Sequence, residues 1–175
     1  FGVYSYLSEY METVTRLSSG RISILLLVYG LANMIGNMIA GRMLSGRPIR
    51  FVLTFPFLLG GVYAVMFFLG YFTVPMAVLI LIWGILAGAA ANINQYWLAT
   101  AAPKAPDFAN GLFLASTNLG TTIGTSVCGF FLSGLGTQYI ILGGIIFIAC
   151  AFLLIVLRVC REKKEQNTDR ILKTA

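Results

Sequence analysis

Long apolar stretches alternate with short polar links along this chain. A helix that crosses a membrane needs about 20 mainly apolar residues. The pattern predicts five such spans, over about 22–41, 51–71, 76–99, 108–135 and 139–157, preceded by a shorter apolar helix over about 1–11. The fold class is therefore all-α: a multi-pass transmembrane helical bundle over 1–159, followed by a polar tail over 160–175.

The first apolar stretch is too short to span a membrane. The chain begins with Phe1 inside an aromatic run, with no basic residues before it and no small-residue cleavage site of the signal-peptide kind. We expect 1–11 to be the end of a truncated helix, and the chain to be the C-terminal part of a longer protein.

The composition fits a membrane protein. Hydrophobic residues make up 58% of the chain and charged residues 10%, whereas soluble domains carry about 25% charged residues. Between Phe51 and Arg158 the charged residues are Lys104 and Asp107, which lie beside two prolines. They mark one exposed link in an otherwise uncharged region.

The positions of the basic residues predict the orientation. A Lys or Arg at the centre of a membrane helix costs roughly 2.5 to 3.5 kcal/mol, so the arginine-rich link over 42–50 must lie outside the hydrocarbon. This link, Lys104 and the tail from Arg158 fall on one side, and the positive-inside rule makes that side cytoplasmic. Arg16 and Arg21 fall on the opposite side and are outnumbered.

Several function classes find no support in the residues. The chain has no histidine, and Cys128, Cys150 and Cys160 lack the spacing of metal ligands, so we expect unpaired cysteines, no metal and no cofactor. No span offers a nucleophile with a base or paired carboxylates, so we expect no enzyme. The basic residues lie at the ends of apolar segments, which argues against nucleic-acid binding. No ring of charges or re-entrant filter indicates an ion channel.

Polar side chains recur on one face of three predicted spans. Amides buried in a bilayer are costly unless they are paired or wetted, so these faces should point inward. The spans over 51–71 and 139–157 have few such side chains and are expected to touch lipid. Tyr4 and Tyr6 on the first helix are further candidates, with packing as their alternative role. The stripes are Tyr29, Asn33 and Asn37; Gly88, Asn92 and Gln95; and Asn118, Thr122 and Thr125.

Two roles for the stripes stay open. Asn, Gln, Ser and Thr can hydrogen-bond between packed membrane helices, and the GxxxG pairs Gly84/Gly88 and Gly120/Gly124 fit such close packing. Alternatively, the stripes line a polar pathway for a solute. Three stripes on three different helices favour a cavity for at least some of them.

The run from Tyr4 to Arg50, YSYLSEYMETVTRLSSGRISILLLVYGLANMIGNMIAGRMLSGRPIR, resembles the seventh and eighth helices and following loop of the major facilitator superfamily. The nearest group is the drug:proton antiporters that include the arabinose-type sugar efflux permeases. Ser45 stands where that group usually has an acid in the loop. The residues that carry the loop motif are Gly36, Asn37, Ala40, Gly41, Arg42, Arg47 and Arg50.

The resemblance implies a secondary active transporter in a bacterial inner membrane that exports a small sugar or drug-like solute by alternating access. Its partners would be this solute, protons as the coupling ion, the lipid bilayer and an N-terminal half-bundle. The membrane-proximal acids Glu9 and Glu12 lie near a helix end, so a coupling acid would belong to that other half. The alternative function is a non-transporting membrane scaffold or assembly protein.

Overall fold

The fold is built from helices throughout the part of the chain that is described. The computed structural model describes residues 1–46 and 48–174, with side chains as far as Arg161. Arg47 therefore lies outside the described residues. The helices are α1 (Gly2–Ser5), α2 (Leu7–Thr13), α3 (Ser19–Gly46), α4 (Pro48–Leu69), α5 (Thr73–Ala101), α6 (Pro106–Leu135) and α7 (Ile140–Thr174), with a 3₁₀ turn at Thr137–Tyr139.

The all-α membrane bundle predicted from the sequence is confirmed. Among the described residues, four helices are long and apolar enough to cross a membrane: α3, α4, α5 and the segment Thr137–Arg161. Helix α6 has the length expected for the span over 108–135, but its Ser, Thr, Asn and Gly residues make it less apolar. The stretch over 1–11 forms the two short helices α1 and α2.

The helices extend further than the apolar pattern indicated. Helix α3 runs to Gly46 and α4 begins at Pro48, so most of the arginine-rich link over 42–50 is helical. Helix α7 continues through the polar tail to Thr174. Backbone hydrogen bonding within a helix does not stop where the side chains become polar, which explains the difference.

The helices pack in pairs, with α3 against α5, α4 against α7 and α1 against α6. The larger buried core gathers residues such as Leu7, Met66 and Ile80, and a smaller one lies around Ala40, Val52 and other residues of α3, α4 and α5. All three cysteines are free, and Cys128 is buried.

Side-chain hydrogen bonds fix the end of the bundle where α2 meets the α4–α5 turn. The Thr15 hydroxyl donates to the carbonyl of Gly70 at 2.7 Å, and the Tyr10 hydroxyl donates to that of Met66 at 2.9 Å. Gln138 donates to the carbonyl of Phe67 at 3.2 Å. These bonds satisfy backbone carbonyls where α4 ends.

Candidate solute cavity

A cavity of about 660 Å³ lies between α5 and α6. Its α5 wall runs from Trp83 to Trp97, about four helical turns or roughly 21 Å. Between these two rings the wall is built largely from alanines, and small side chains leave the space open. The α5 residues that line it are Trp83, Ala87, Ala90, Ala91, Ile93, Asn94, Trp97 and Leu98.

The α6 wall combines hydroxyl groups with a glycine. Ser116, Thr117 and Thr121 line the cavity beside Gly120. Ser116 and Gly120 are four residues apart, as are Thr117 and Thr121, so the two pairs lie next to each other on one face of α6. A methyl group added at Gly120 would meet no atom within 4 Å. Glycine here leaves volume in the cavity and is not required by a neighbouring helix.

Four aromatic side chains form one end of the cavity, which we call the aromatic cluster: Tyr4, Tyr29, Tyr63 and Trp83. Tyr4 stacks on Tyr29 with ring centroids 4.8 Å apart and an interplanar angle of 24°. Trp83 meets Tyr29 and Tyr63 edge to face, each at 5.4 Å. Such contacts between rings are worth about 0.5 to 1.5 kcal/mol beyond burial, so the cluster holds a fixed shape.

A cationic side chain lies at the other end. The guanidinium carbon of Arg158 lies over the ring of Trp97, 4.1 Å from its centroid, and both residues line the cavity. Ile155, one turn earlier on α7, also lines it. Helix α7 therefore turns one face to the cavity, as does α4 through Val52, Leu59 and Tyr63. That these two helices touch lipid, as the sequence predicts, stays a prediction for their other faces.

A second cavity of about 430 Å³ adjoins the first. The two share Asn94, Gly120, Tyr63 and other lining residues, and the second extends past Gly124 to the buried Cys128. Together they form a continuous space on one side of α5. Its walls are mainly apolar with a few polar groups, which is typical of binding sites for small molecules.

The amides predicted on α3 and α5 lie elsewhere, at the contact between these two helices. The Asn92 side chain donates to the Asn37 amide oxygen at 2.5 Å, and Asn37 donates to Asn33 at 3.2 Å. The backbones approach closely here, since a methyl group added at Gly88 would lie 2.1 Å from the carbonyl oxygen of Asn33. These residues join α3 to α5, as small and amide-bearing residues do in membrane bundles.

The remaining predicted stripe residues are spread over other surfaces. Asn118 and Thr122 are exposed on α6, where the Thr122 hydroxyl donates to the Asn118 carbonyl at 3.0 Å. The Thr125 hydroxyl lies 3.2 Å from that of Ser5, and Gln95 is exposed on α5. Of the predicted cavity residues, Tyr4 and Tyr29 line the larger cavity. The role of the others as solute contacts stays a prediction.

The residues of the loop motif have two kinds of surroundings: some pack against a neighbouring helix, and others lie at the surface. A methyl group at Gly36 would lie 1.9 Å from the carbonyl oxygen of Ile85, whereas one at Gly41 would meet nothing within 4 Å. Arg42 and Arg50 are exposed. Gly36 is thus required by the approach of α5, and the described arginines stand at the surface.

Sequence reasoning missed Asn94, Thr117, Thr121 and Arg158 as cavity residues. One signal could have found the α5 wall. The chain contains two tryptophans, and they lie about four helical turns apart, so they share a face. Ala87, Ala90 and Asn94 lie between them on that same face, which is the pattern of a lined space.

Comparison with known proteins identifies relatives over most of the chain. The profile of the Major Facilitator Superfamily matches residues 1–173. A "Transcription regulatory protein OpdE" from Pseudomonas aeruginosa is 30% identical over 79% of this chain and 34% of its own length. The "Uncharacterized MFS-type transporter YtbD" from Bacillus subtilis is 30% identical over 87% of this chain and 40% of its own.

A further relative is named for a solute. The "Probable sugar efflux transporter" of Pasteurella multocida is 27% identical over 90% of this chain and 39% of its own length. The chain thus spans between 34% and 40% of the length of these three relatives. No solved structure matches the chain.

Proposed function

The chain belongs to the major facilitator superfamily, and from this membership we propose that it forms one half of a secondary active transporter. The proposed activity is proton-coupled efflux of a small sugar or drug-like solute by alternating access. Relatives named as sugar efflux and inner membrane transport proteins support the solute class and a bacterial inner membrane. A further half-bundle, contributed by the same full-length protein, would complete the pathway.

The observation that carries the proposal is the cavity between α5 and α6. It combines ring faces in the aromatic cluster with the Asn94 amide and the hydroxyls of Thr117 and Thr121. Ring faces can stack on sugar or aromatic rings, and a few polar groups fix their orientation. A scaffold or assembly protein would need no lined space of this size, so the cavity favours transport.

The packing of α3 on α5 supports a rigid-body mechanism. Gly36, Gly84 and Gly88 bring the two backbones into direct contact, and the Asn37–Asn92 hydrogen bond joins them. A pair packed this closely would move as one unit. Alternating access in such transporters is largely the rocking of rigid bundles around a fixed site.

Proton coupling requires a titratable group that competes with the solute. The acids Glu9 and Glu12 are exposed on α2, Asp107 is exposed at the start of α6, and none of the three lines either described cavity. We therefore place the coupling acid in the other half of the transporter. Efflux that stops when the proton gradient is collapsed would support this coupling, and efflux that continues unchanged would contradict it.

The proposed orientation puts three regions in the cytoplasm: the end of α3 with Arg42, the α5–α6 link with Lys104, and the part of α7 with Arg161. A reporter fused after Arg161 tests this directly. We expect activity from a cytoplasmic reporter and none from one that works only in the periplasm. The opposite pattern would overturn the orientation without affecting the cavity.

Transport itself can be tested with the product of the complete gene reconstituted in liposomes. A panel of labelled sugars and drug-like compounds is offered in counterflow, and the best solute is measured again with Tyr29→Leu and with Phe57→Leu. Tyr29→Leu removes a ring from the aromatic cluster and should reduce transport by about tenfold or more. Phe57 is an exposed ring that does not line the cavities, so its variant is the control. Equal loss in both variants, or counterflow of no solute in the panel, would contradict the proposal.

A further inference from the structure

Helices α4 and α7 pack side by side and run in opposite directions. The rings of Phe57 on α4 and Phe152 on α7 meet edge to face, with centroids 4.7 Å apart. Further along α4, the ring of Tyr63 lies against Gly144, where an added methyl group would be 2.5 Å from a ring carbon. Because α4 advances from Phe57 to Tyr63 while α7 goes back from Phe152 to Gly144, the pair is antiparallel.

This register brings Arg50 and Arg161 to the same end of the pair. Arg50 lies seven residues before Phe57 on α4, which is about 10.5 Å along the helix. Arg161 lies nine residues after Phe152 on α7, which is about 13.5 Å in the same direction. The axes of two packed helices are about 8 to 10 Å apart. The two arginines, both exposed, therefore stand at nearly the same depth on neighbouring helices and can reach one ligand.

Each of the two arginines stands above an exposed apolar face of its own helix. Residues that are four, seven, eleven or eighteen positions apart share a helix face. At these spacings from Arg50 and Arg161 the exposed residues are apolar, so each face suits an acyl chain. They are Phe57 and Phe68 on α4, and Cys150, Leu154 and Leu157 on α7.

The charges at this end of the pair favour an anion. Neither α4 nor α7 as far as Arg161 contains an acidic residue. The next four residues of the sequence, 162–165, are two glutamates and two lysines, so they add no net charge. Asp107 is the described acid at this end of the bundle, and it lies on α6. A positive excess of this kind attracts anionic groups.

We propose that the α4–α7 pair binds one anionic phospholipid, whose phosphate is held by Arg50 and Arg161 while its acyl chains lie along the two apolar faces. A guanidinium group can bind phosphate oxygens through two parallel hydrogen bonds. A zwitterionic lipid carries an ammonium group that offsets its phosphate, so a headgroup with net negative charge is preferred. In the proposed orientation this lipid belongs to the cytoplasmic leaflet. The site lies on the outside of the bundle and does not depend on the solute.

Two lipids with the same acyl chains test the preference. Phosphatidylglycerol is anionic, whereas phosphatidylethanolamine is zwitterionic. Each is titrated into the delipidated product of the complete gene in a neutral detergent, and bound lipids are counted by native mass spectrometry. We expect the first phosphatidylglycerol to bind about tenfold more tightly or better, because each arginine near an anionic headgroup adds to the attraction. Equal affinities, or tighter binding of phosphatidylethanolamine, would overturn the proposal.

Substitutions assign the preference to the two arginines. The double variant Arg50→Gln/Arg161→Gln should bring the two affinities to within about twofold. Its phosphatidylethanolamine affinity and melting temperature should match the wild type, which shows that it is folded. Either single substitution should weaken phosphatidylglycerol binding by about threefold, and this measurement decides if the double variant does not fold.

Arg21→Gln is the matched control, since it removes an exposed arginine at the opposite end of the bundle. It should keep the wild-type preference. A preference that survives the loss of both Arg50 and Arg161, or that falls equally in Arg21→Gln, would contradict the assignment. Unchanged binding in both single variants would contradict it as well.

Photocrosslinking locates the acyl chains. Phosphatidylglycerol with a diazirine in one acyl chain is incorporated into nanodiscs with the protein, and crosslinked peptides are identified by mass spectrometry. We expect labelling at Phe57 and Leu154 that falls by about threefold or more in the double variant. Labelling at Val78, which is exposed on α5 toward the opposite end, should not change. Labelling at Phe57 and Leu154 that is unaffected by the double variant would overturn the site.

Discussion

The side-chain amide of Asn92 donates a hydrogen bond to the amide oxygen of Asn37 across the α3–α5 contact, at 2.5 Å. The same Asn92 amide donates to the Gly88 carbonyl at 3.0 Å. Asn94, two residues further along α5, instead lines the cavity. Two amides on neighbouring positions of one helix therefore have different surroundings, and they should have different functions.

Asn92→Ala should destabilise the bundle and leave solute binding unchanged. Hydrogen bonds between membrane helices contribute about 0.6 kcal/mol on average and up to roughly 1.7 kcal/mol, so we expect a loss of about 1 kcal/mol in the free energy of unfolding. Asn94→Ala is the matched control and should lower solute affinity with little change in stability. Unfolding in detergent and binding titrations measure the two effects. Loss of solute affinity in Asn92→Ala together with loss of stability in Asn94→Ala would contradict these roles.

Gly36→Ala should destabilise the protein strongly because the added methyl group would lie 1.9 Å from the carbonyl oxygen of Ile85. The α3 and α5 backbones would have to separate, and overpacking of this kind costs about 1 to 3 kcal/mol. Gly30→Ala, on the same helix, is the control, since its methyl group would meet nothing within 4 Å. Thermal unfolding of both variants should show a lower melting temperature for Gly36→Ala alone. Similar melting temperatures for the two variants would refute the close contact.

Gly120→Leu should fill part of the cavity without disturbing the fold. Its side chain would enter space that is open in the structure, so we expect solute affinity to fall by about tenfold or more while the melting temperature changes little. Gly111→Leu is the control on the same helix, because position 111 is also unobstructed but lines neither described cavity. If both variants bind solute like the wild type, the space beside Gly120 does not hold the solute.

The fold class could be predicted from the sequence because it depends on the length and charge of apolar segments. The all-α membrane bundle followed from runs such as 76–99, which the structure shows as α5, Thr73–Ala101. The ends of helices were harder to predict. The polar residues after Gly41 and after Leu157 marked the end of the apolar pattern. The backbone nevertheless stays helical to Gly46 in α3 and to Thr174 in α7.

The cavity face of each helix could not be read from periodicity alone. A stripe at four-residue spacing shows that Asn33 and Asn37 share a face, but it does not show whether a neighbouring helix or a cavity lies opposite. On α5, Asn92 contacts α3 and Asn94 lines the cavity, although only two positions separate them. On α6, Thr117 lines the cavity, whereas Asn118, about 100° further around the helix, does not. Which of two such positions meets the cavity depends on how α5 and α6 are placed relative to each other, and the local sequence does not specify that.

Thiol accessibility tests most directly whether the space between α5 and α6 is a water-filled solute cavity. Single cysteines are introduced at Asn94, Thr117 and Phe57 in the product of the complete gene, after Cys128, Cys150 and Cys160 have been replaced. A water-soluble maleimide is then added to membranes and the labelling rate of each variant is measured. We predict rapid labelling at Asn94 and Thr117, slower labelling of both when Gly120→Leu is added, and negligible labelling at Phe57, an exposed position that lines neither described cavity and that we expect to face lipid. Labelling at Asn94 and Thr117 as slow as at Phe57, or insensitive to Gly120→Leu, would contradict a solute cavity at this site.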